Sequence, residues 1–241
     1  MPQPLWTCLL AVLAIATVPG PLHAEAEVEG RLILHEDFSD GMEDWWVEGG
    51  QEVWVEEGRL HVRANPPADA QEGYAATVWH RTPIEGDVRI EMQAHVLASE
   101  PGVNNINTFL FYADPEGRPL YQTRHERADA NYGYYHDLDG YIVTFLATMQ
   151  DGDAMARTRL RRCPGFELIH ETLHPMGVHE GQTYHLVFTR IGDTLSVEAN
   201  GENVGEMTDP ERHERGLLGL RTFRTYLWWD EIRVYDLSER E

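Results

Sequence analysis

The chain has 241 residues, with 41 acidic and 19 basic side chains and a formal net charge of -22. Every Lys/Arg position is arginine, so Schiff-base lysine chemistry and a P-loop are excluded. The acidity argues against nucleic acid or an anionic membrane as partner, because both call for a basic face. The length suffices for one domain with a large core.

The first 24 residues carry no charged side chain, and Leu9 to Val18 is an apolar run too short to span a bilayer. Pro19, Gly20 and Pro21 break it ahead of Ala24. This reads as a secretory signal peptide over 1–24, followed by one domain over 25–241; an N-terminal membrane anchor is the alternative. Without Cys8 the domain keeps Cys163 alone, so no intrachain disulfide can form and stability must come from the core. A bacterial periplasmic or secreted protein is expected, monomeric and off the membrane once the signal is cut.

Period-2 alternation dominates the rest. Strands are predicted at Arg31–Phe38, Trp45–Val47, Val53–Val55, Arg59–Ala64, Tyr74–Arg81, Val88–Leu97, Asn107–Ala113 and Leu120–Arg127. Next come Tyr132, Tyr134, Tyr135 and His136, the alternating strand from Tyr141, the Asp151-Gly152 turn and the strand bearing Arg157, Arg159, Arg161 and Arg162. Further strands are predicted at Glu167–Leu173, Tyr184–Ile191, Thr194–Ala199, Glu202–Thr208, Gly216–Thr222 and Tyr226–Tyr235, with a helical turn at Asp209–Arg215. Asn200-Gly201 is a strong hairpin signal. A dozen or so short strands with almost no helix mean an all-β sandwich or barrel in one domain.

Three stretches in this order resemble the concanavalin A-like jelly-roll β-sandwich. They are LHEDFSDGMEDWWVEGGQEVWVEEGRLHV, YHLVFTRIGDTLSVEANGENVGEM and GLLGLRTFRTYLWWDEIRVYDL. The middle, YYHDLDGYIVTF followed by RTRLRRCPGFELIHE, is similar to the secreted bacterial YesU-like family of unknown function. That resemblance implies a setting of acidic-polysaccharide breakdown and assigns no catalytic residue.

In a jelly roll, one sheet face makes a groove lined by alternate side chains. Tyr141, Val143 and Phe145 share one face of their strand and Ile142, Thr144 and Leu146 the other; Arg157, Arg159 and Arg161 share a face, as do Asn105, Asn107 and Phe109. Which face looks into the groove is open at this stage. The preferred activity is a lyase that cleaves a uronate polysaccharide by β-elimination. It needs a carboxylate-neutralising cation and a proton acceptor. His136 with Tyr135 or Tyr141 supplies the acceptor, with His125 a second base. Arg159, Arg161, Asn107, Arg124 and Tyr134 are the candidate substrate contacts. The bland alternative has the tyrosines packed with satisfied hydroxyls, His136 capping a turn and the arginines paired with local acids.

A non-catalytic carbohydrate-binding module is the second reading. Most of its tryptophans would be core, with one member each of Trp45-Trp46 and Trp228-Trp229 near the surface. A glycoside hydrolase of this fold is the third, although Glu-x-Asp-x-x-Glu is absent and Asp137 and Asp139 fall in an expected loop. No cofactor is required; a structural calcium ion on Asp37 and Asp230 is the one metal considered. The expected partner is an acidic polysaccharide or oligosaccharide.

Overall fold

The computed structural model describes residues 30–50, 52–65, 74–99 and 105–238. The expected signal peptide lies outside these residues. The strands are β1 (Arg31–Glu36), β2 (Trp45–Gly49), β3 (Glu52–Glu56), β4 (Arg59–Arg63), β5 (Ala75–His80), β6 (Ile84–Glu85), β7 (Val88–Ser99) and β8 (Asn105–Ala113), then β9 (Asp139–Gln150), β10 (Asp153–Cys163), β11 (Glu167–His174), β12 (Thr183–Ile191), β13 (Thr194–Ala199), β14 (Glu202–Thr208), β15 (Arg215–Phe223) and β16 (Thr225–Asp236).

They pair antiparallel into two sheets. One runs β14-β13-β12-β7-β16-β4-β3, with β1 on β16; the other runs β11-β10-β9-β8-β15-β5-β2, with β6 on β15. This is the all-β sandwich that the alternation predicts. Asp151 and Gly152 turn β9 into β10 with φ of 53° and 90°, and Asn200 and Gly201 turn β13 into β14 with φ of 52° and 81°. Two successive positive φ values match the twist of a hairpin.

The sheets bury a shared core between them. Val88, Ile90, Met92, Ala94 and Val96 of β7 supply one side, and Tyr141, Val143 and Phe145 of β9 the other. Each fully buried aliphatic contributes about 1.5–3 kcal/mol. A second cluster lies on the opposite face of the β11-to-β2 sheet, where Trp46, Trp79, Phe109 and Ile142 meet Leu120, Tyr135 and Leu138. The segment between β8 and β9 covers that part of the sheet.

This segment corrects one expectation. Leu120–Arg127 is no strand; turns lead into a 3-10 turn at Arg124–Arg127, and a second follows at Tyr132–Tyr135. Over residues 120–130 the buried ones are Leu120, Thr123, Arg127 and Ala130, a spacing of three to four that fits turns and not a strand. Asp209–Arg215 forms no helix either. Asp209 accepts the Glu211 N–H (3.0 Å) and also binds Tyr141 and Arg162, so its side chain ties β9 and β10 to its own turn instead of capping a helix. The adjacent tryptophans do point to opposite faces, but neither outward one is free. Trp46 lies beneath Tyr121, and Trp228 is stacked on His95 and faced by Arg59. No described helix is long and apolar enough to cross a membrane.

Candidate functional site

Register across the β11-to-β2 sheet lines up one row of polar side chains on its outer face. Glu48 of β2 pairs with Thr77 of β5, Thr77 with Arg221 of β15, Arg221 with Asn107 of β8, Asn107 with Thr144 of β9, Thr144 with Arg159 of β10, and Arg159 with Glu171 of β11. Two residues along each strand the neighbouring row is mostly apolar: Trp46, Trp79, Gly219, Phe109, Ile142 and then Arg161. Alternation therefore puts Thr144, Arg159, Arg161 and Asn107 on the outer face and Tyr141, Val143 and Phe145 in the core.

The β2 half of the polar row is sealed. Glu48, 2% exposed, accepts from Arg127 (3.0 and 2.8 Å), from Trp79 Nε1 (3.0 Å) and from the Tyr135 hydroxyl (2.9 Å). Arg127 also donates to the Leu120 carbonyl (2.8 Å) and to Thr123 Oγ1 (3.2 Å). The ion pair is buried but its hydrogen bonds are nearly complete, the condition under which such a pair survives without water.

The other half opens into a depression of about 640 Å³. Its floor holds Asn105, Asn107, Thr144 and Arg221, and its rim holds Tyr132, Arg159, Arg161 and Phe166. Arg221 is 3% exposed, donates one hydrogen bond to the Ala130 carbonyl (3.2 Å), and lies 4.4 Å from the Tyr132 ring centroid. Arg161 lies 4.3 Å from the Phe166 ring centroid. Neither guanidinium has a carboxylate partner among the described residues, and the Nε of each is buried and unpartnered, as is the Nε of Arg157. Burial lowers the pKa of Arg161 and Arg221. The amide oxygens of Asn105 and Asn107 are also buried without partners. Burial raises the Tyr132 phenol, against the pull of Arg221, Thr144 and Arg161. This hydroxyl therefore sits in the field of two cations. In a chain of net charge -22, such a cluster of unpaired cations and amides is suited to an anionic, hydroxyl-rich ligand.

The predicted site residues divide accordingly. Arg159, Arg161 and Asn107 line the depression, Arg159 with Glu171 as an ion-pair partner. His136 stands just outside the lining, stacked on Phe166 (3.6 Å, 18°) and edge-on to Tyr132 (4.8 Å). Burial is the main cause of its lowered pKa, which favours the neutral ring. Its position braces Tyr132 and Phe166. Tyr141 is on the wrong face: its hydroxyl donates to Asp209 (2.7 Å) and accepts from the His213 N–H (3.1 Å) inside the sandwich. Tyr135 is sealed against Glu48. His125 is exposed on the 3-10 turn, Arg124 lies over the Tyr121 ring (4.1 Å), and Tyr134 is 45% exposed outside the lining. The choice of His125 and Arg124 follows from reading Leu120–Arg127 as a strand, and that of Tyr134 from its place in the Tyr132–His136 cluster.

The sequence reading did not select Tyr132 or Arg221. An arginine inside the apolar run GLLGLRTF was the available signal, because a mid-strand cation has to meet either an acid or a ligand.

Asp37 and Asp230 feel each other, but Asp230 faces Arg59 (3.9 Å), and among the described residues no three His, Cys, Asp or Glu side chains converge.

The two-sheet architecture and its groove-bearing sheet define a galectin- and legume-lectin-like jelly roll. Residues 69–231 match the family described as Domain of unknown function (DUF6250), and the chain belongs to that family. The fold is similar to a Bacillus subtilis protein of unknown function with galectin-like fold, at 17% identity and TM-score 0.70 over 87% of this chain and 97% of that one. It is similar to the carbohydrate-binding module CBM66 from Bacillus subtilis, at 12% identity and TM-score 0.55 over 80% of this chain and 96% of that one. It also resembles the VIP36 exoplasmic/lumenal domain in its Ca2+/Man2-bound form, at 9% identity and TM-score 0.61 over 88% and 89%. No curated protein matches the chain in sequence.

Proposed function

We propose that the protein is a carbohydrate-active jelly roll that binds an acidic, uronate-containing polysaccharide in the open half of its outer sheet face and cleaves it by β-elimination. The observation that carries this reading is the buried Arg221 guanidinium 4.4 Å from the Tyr132 ring centroid, with Arg161 in the same lining, two cations without carboxylate partners among the described residues. Leaving such cations unpaired is costly, and a substrate carboxylate removes the cost.

In the reaction, Arg161 and Arg221 take the uronate carboxylate and spread the charge that develops when the carbon alpha to it loses its proton. Burial raises the Tyr132 phenol, so it acts after giving its own proton to solvent on the alkaline side, and the phenolate so formed accepts the alpha proton. The electron pair left on the alpha carbon forms the double bond to the beta carbon as the glycosidic C–O bond breaks, and the same phenol returns its proton to the departing oxygen. Asn107 and Thr144 meet sugar hydroxyls, and Phe166 offers a ring edge. A hydrolase finds less support, because among the described residues Asp129 is the single carboxylate in the lining while two must flank the bond.

The carbohydrate-binding names among the structural neighbours support the substrate class. The YesU-like resemblance supports a bacterial polysaccharide-degradation setting, with export to the periplasm or medium as a monomer after removal of 1–24.

The test is ultraviolet absorbance of the unsaturated uronate product on pectic, glucuronan and ulvan substrates. Wild type should produce the signal on at least one, and Tyr132→Phe should lower the rate about 10²–10⁴-fold. Binding without any absorbance rise would leave a binding module in place of the lyase.

A further inference from the structure

Among the described residues the polar row is open at one end only. On the β2 side, Glu48 and Thr77 are buried beneath the covering segment. That segment is pinned where it crosses the sheet. The Gly49 N–H donates to the Ala128 carbonyl (3.0 Å), and Arg221 holds the Ala130 carbonyl. Ala130 is fully buried, and a side chain at Gly49 would come within 2.6 Å of it. Asp129, Ala130 and Asn131 thus form a fixed stop at one side of the depression. Asn131 is braced in turn, its side chain accepting the Gly133 N–H at 3.0 Å.

On the opposite side the row continues over β10 and β11. Arg159 and Glu171 keep 28% and 38% side-chain exposure, and β11 is the last strand of the sheet. From Arg221 on β15 to Glu171 on β11 the row crosses four strand spacings, roughly 20 Å in all, enough for about four sugar rings. A linear polymer lying along the row can reach Tyr132 over β11 and can go no further.

We infer that the site takes the end of an acidic polysaccharide chain and releases short products from that end. This inference rests on the proposed acidic-polysaccharide reading and adds to it the position on the polymer. Asp129 and Asn131 stand at the stop, where a chain end presents free hydroxyls that an internal residue does not have.

The test uses the Tyr132→Phe protein and length-fractionated polygalacturonate and glucuronan, with binding stoichiometry per polymer chain read by calorimetry. One protein per chain is expected at every length. A stoichiometry that grows with length overturns the chain-end inference and leaves acidic-polysaccharide binding standing. Failure to bind any fraction overturns both. With wild type on a polymer it cleaves, one short product should appear from the first time point while viscosity holds. An early ladder of intermediate oligosaccharides overturns the inference without touching the lyase reading.

Discussion

Two buried arginines on the same sheet face have opposite settings. Arg127 and Arg221 are each 3% exposed. Arg127 spends its donors on Glu48, Leu120 and Thr123, and Glu48 is further held by Trp79 and Tyr135. Arg221 makes one carbonyl hydrogen bond, lies over Tyr132, and keeps a buried Nε with no partner. The residue types are alike on both halves of the row: arginine, tyrosine, threonine and an indole or phenyl ring. Whether the cation's charge is answered inside the protein separates the half that seals the sheet from the half that awaits a ligand.

The largest expected effect lies in the sealed half. Glu48→Ala strands the Arg127 charge and should cost about 3–5 kcal/mol of unfolding free energy, measured by denaturant titration. Arg221→Met, in contrast, should leave stability unchanged or raised, because it replaces an unanswered buried cation with an apolar chain of similar reach. Equal losses from the two variants would erase the distinction between the halves.

The next effect is on the pH profile. Arg221 helps hold down a phenol that burial pushes up. Without it the Tyr132 pKa rises further, so the limb on which rate increases with pH should move to more alkaline pH in Arg221→Met. An unmoved limb would remove Tyr132 from the proton-accepting role. A smaller effect is expected inside the sandwich. Tyr141→Phe loses the hydrogen bond to Asp209 and should cost about 1–2 kcal/mol of stability with the cleavage rate intact.

Asp209 supplies the smallest effect, at acid pH. Burial alone would raise its carboxyl, but hydrogen bonds from Tyr141 and Arg162 bring it below its ordinary value of 3.8. A depressed folded pKa contributes stability that is present above 3.8 and lost as pH falls through the folded value. Wild type should therefore lose more stability than Asp209→Asn as the solution is acidified through this range, as followed by thermal unfolding.

Much of this fold could be read from residue order. Asp151-Gly152 and Asn200-Gly201 announced their hairpins, and alternation in the strand beginning at Tyr141 separated its two faces correctly. Which face met the other sheet could not be read there, because Tyr141 and Thr144 are equally plausible groove residues until a second layer covers one of them. The covering segment was misread for a related reason. Gln122, Arg124 and Glu126 alternate with Thr123, His125 and Arg127, and that pattern imitates a strand. The partner that shows otherwise, Glu48, lies 79 residues from Arg127. Arg159, Arg161 and Asn107 were found because register keeps same-parity residues together across β8, β9 and β10. Arg221 was missed because its strand pairs with β8 from more than a hundred residues away.

The most direct measurement compares one oligouronide with its carboxyl-reduced counterpart, in which each carboxylate has become a hydroxymethyl group, titrated into the Tyr132→Phe protein. Arginines that await a carboxylate predict that reduction abolishes most of the binding, and that Arg161→Gln narrows the difference between the two ligands. Equal affinity for the acidic and the reduced ligand would contradict carboxylate recognition by Arg161 and Arg221.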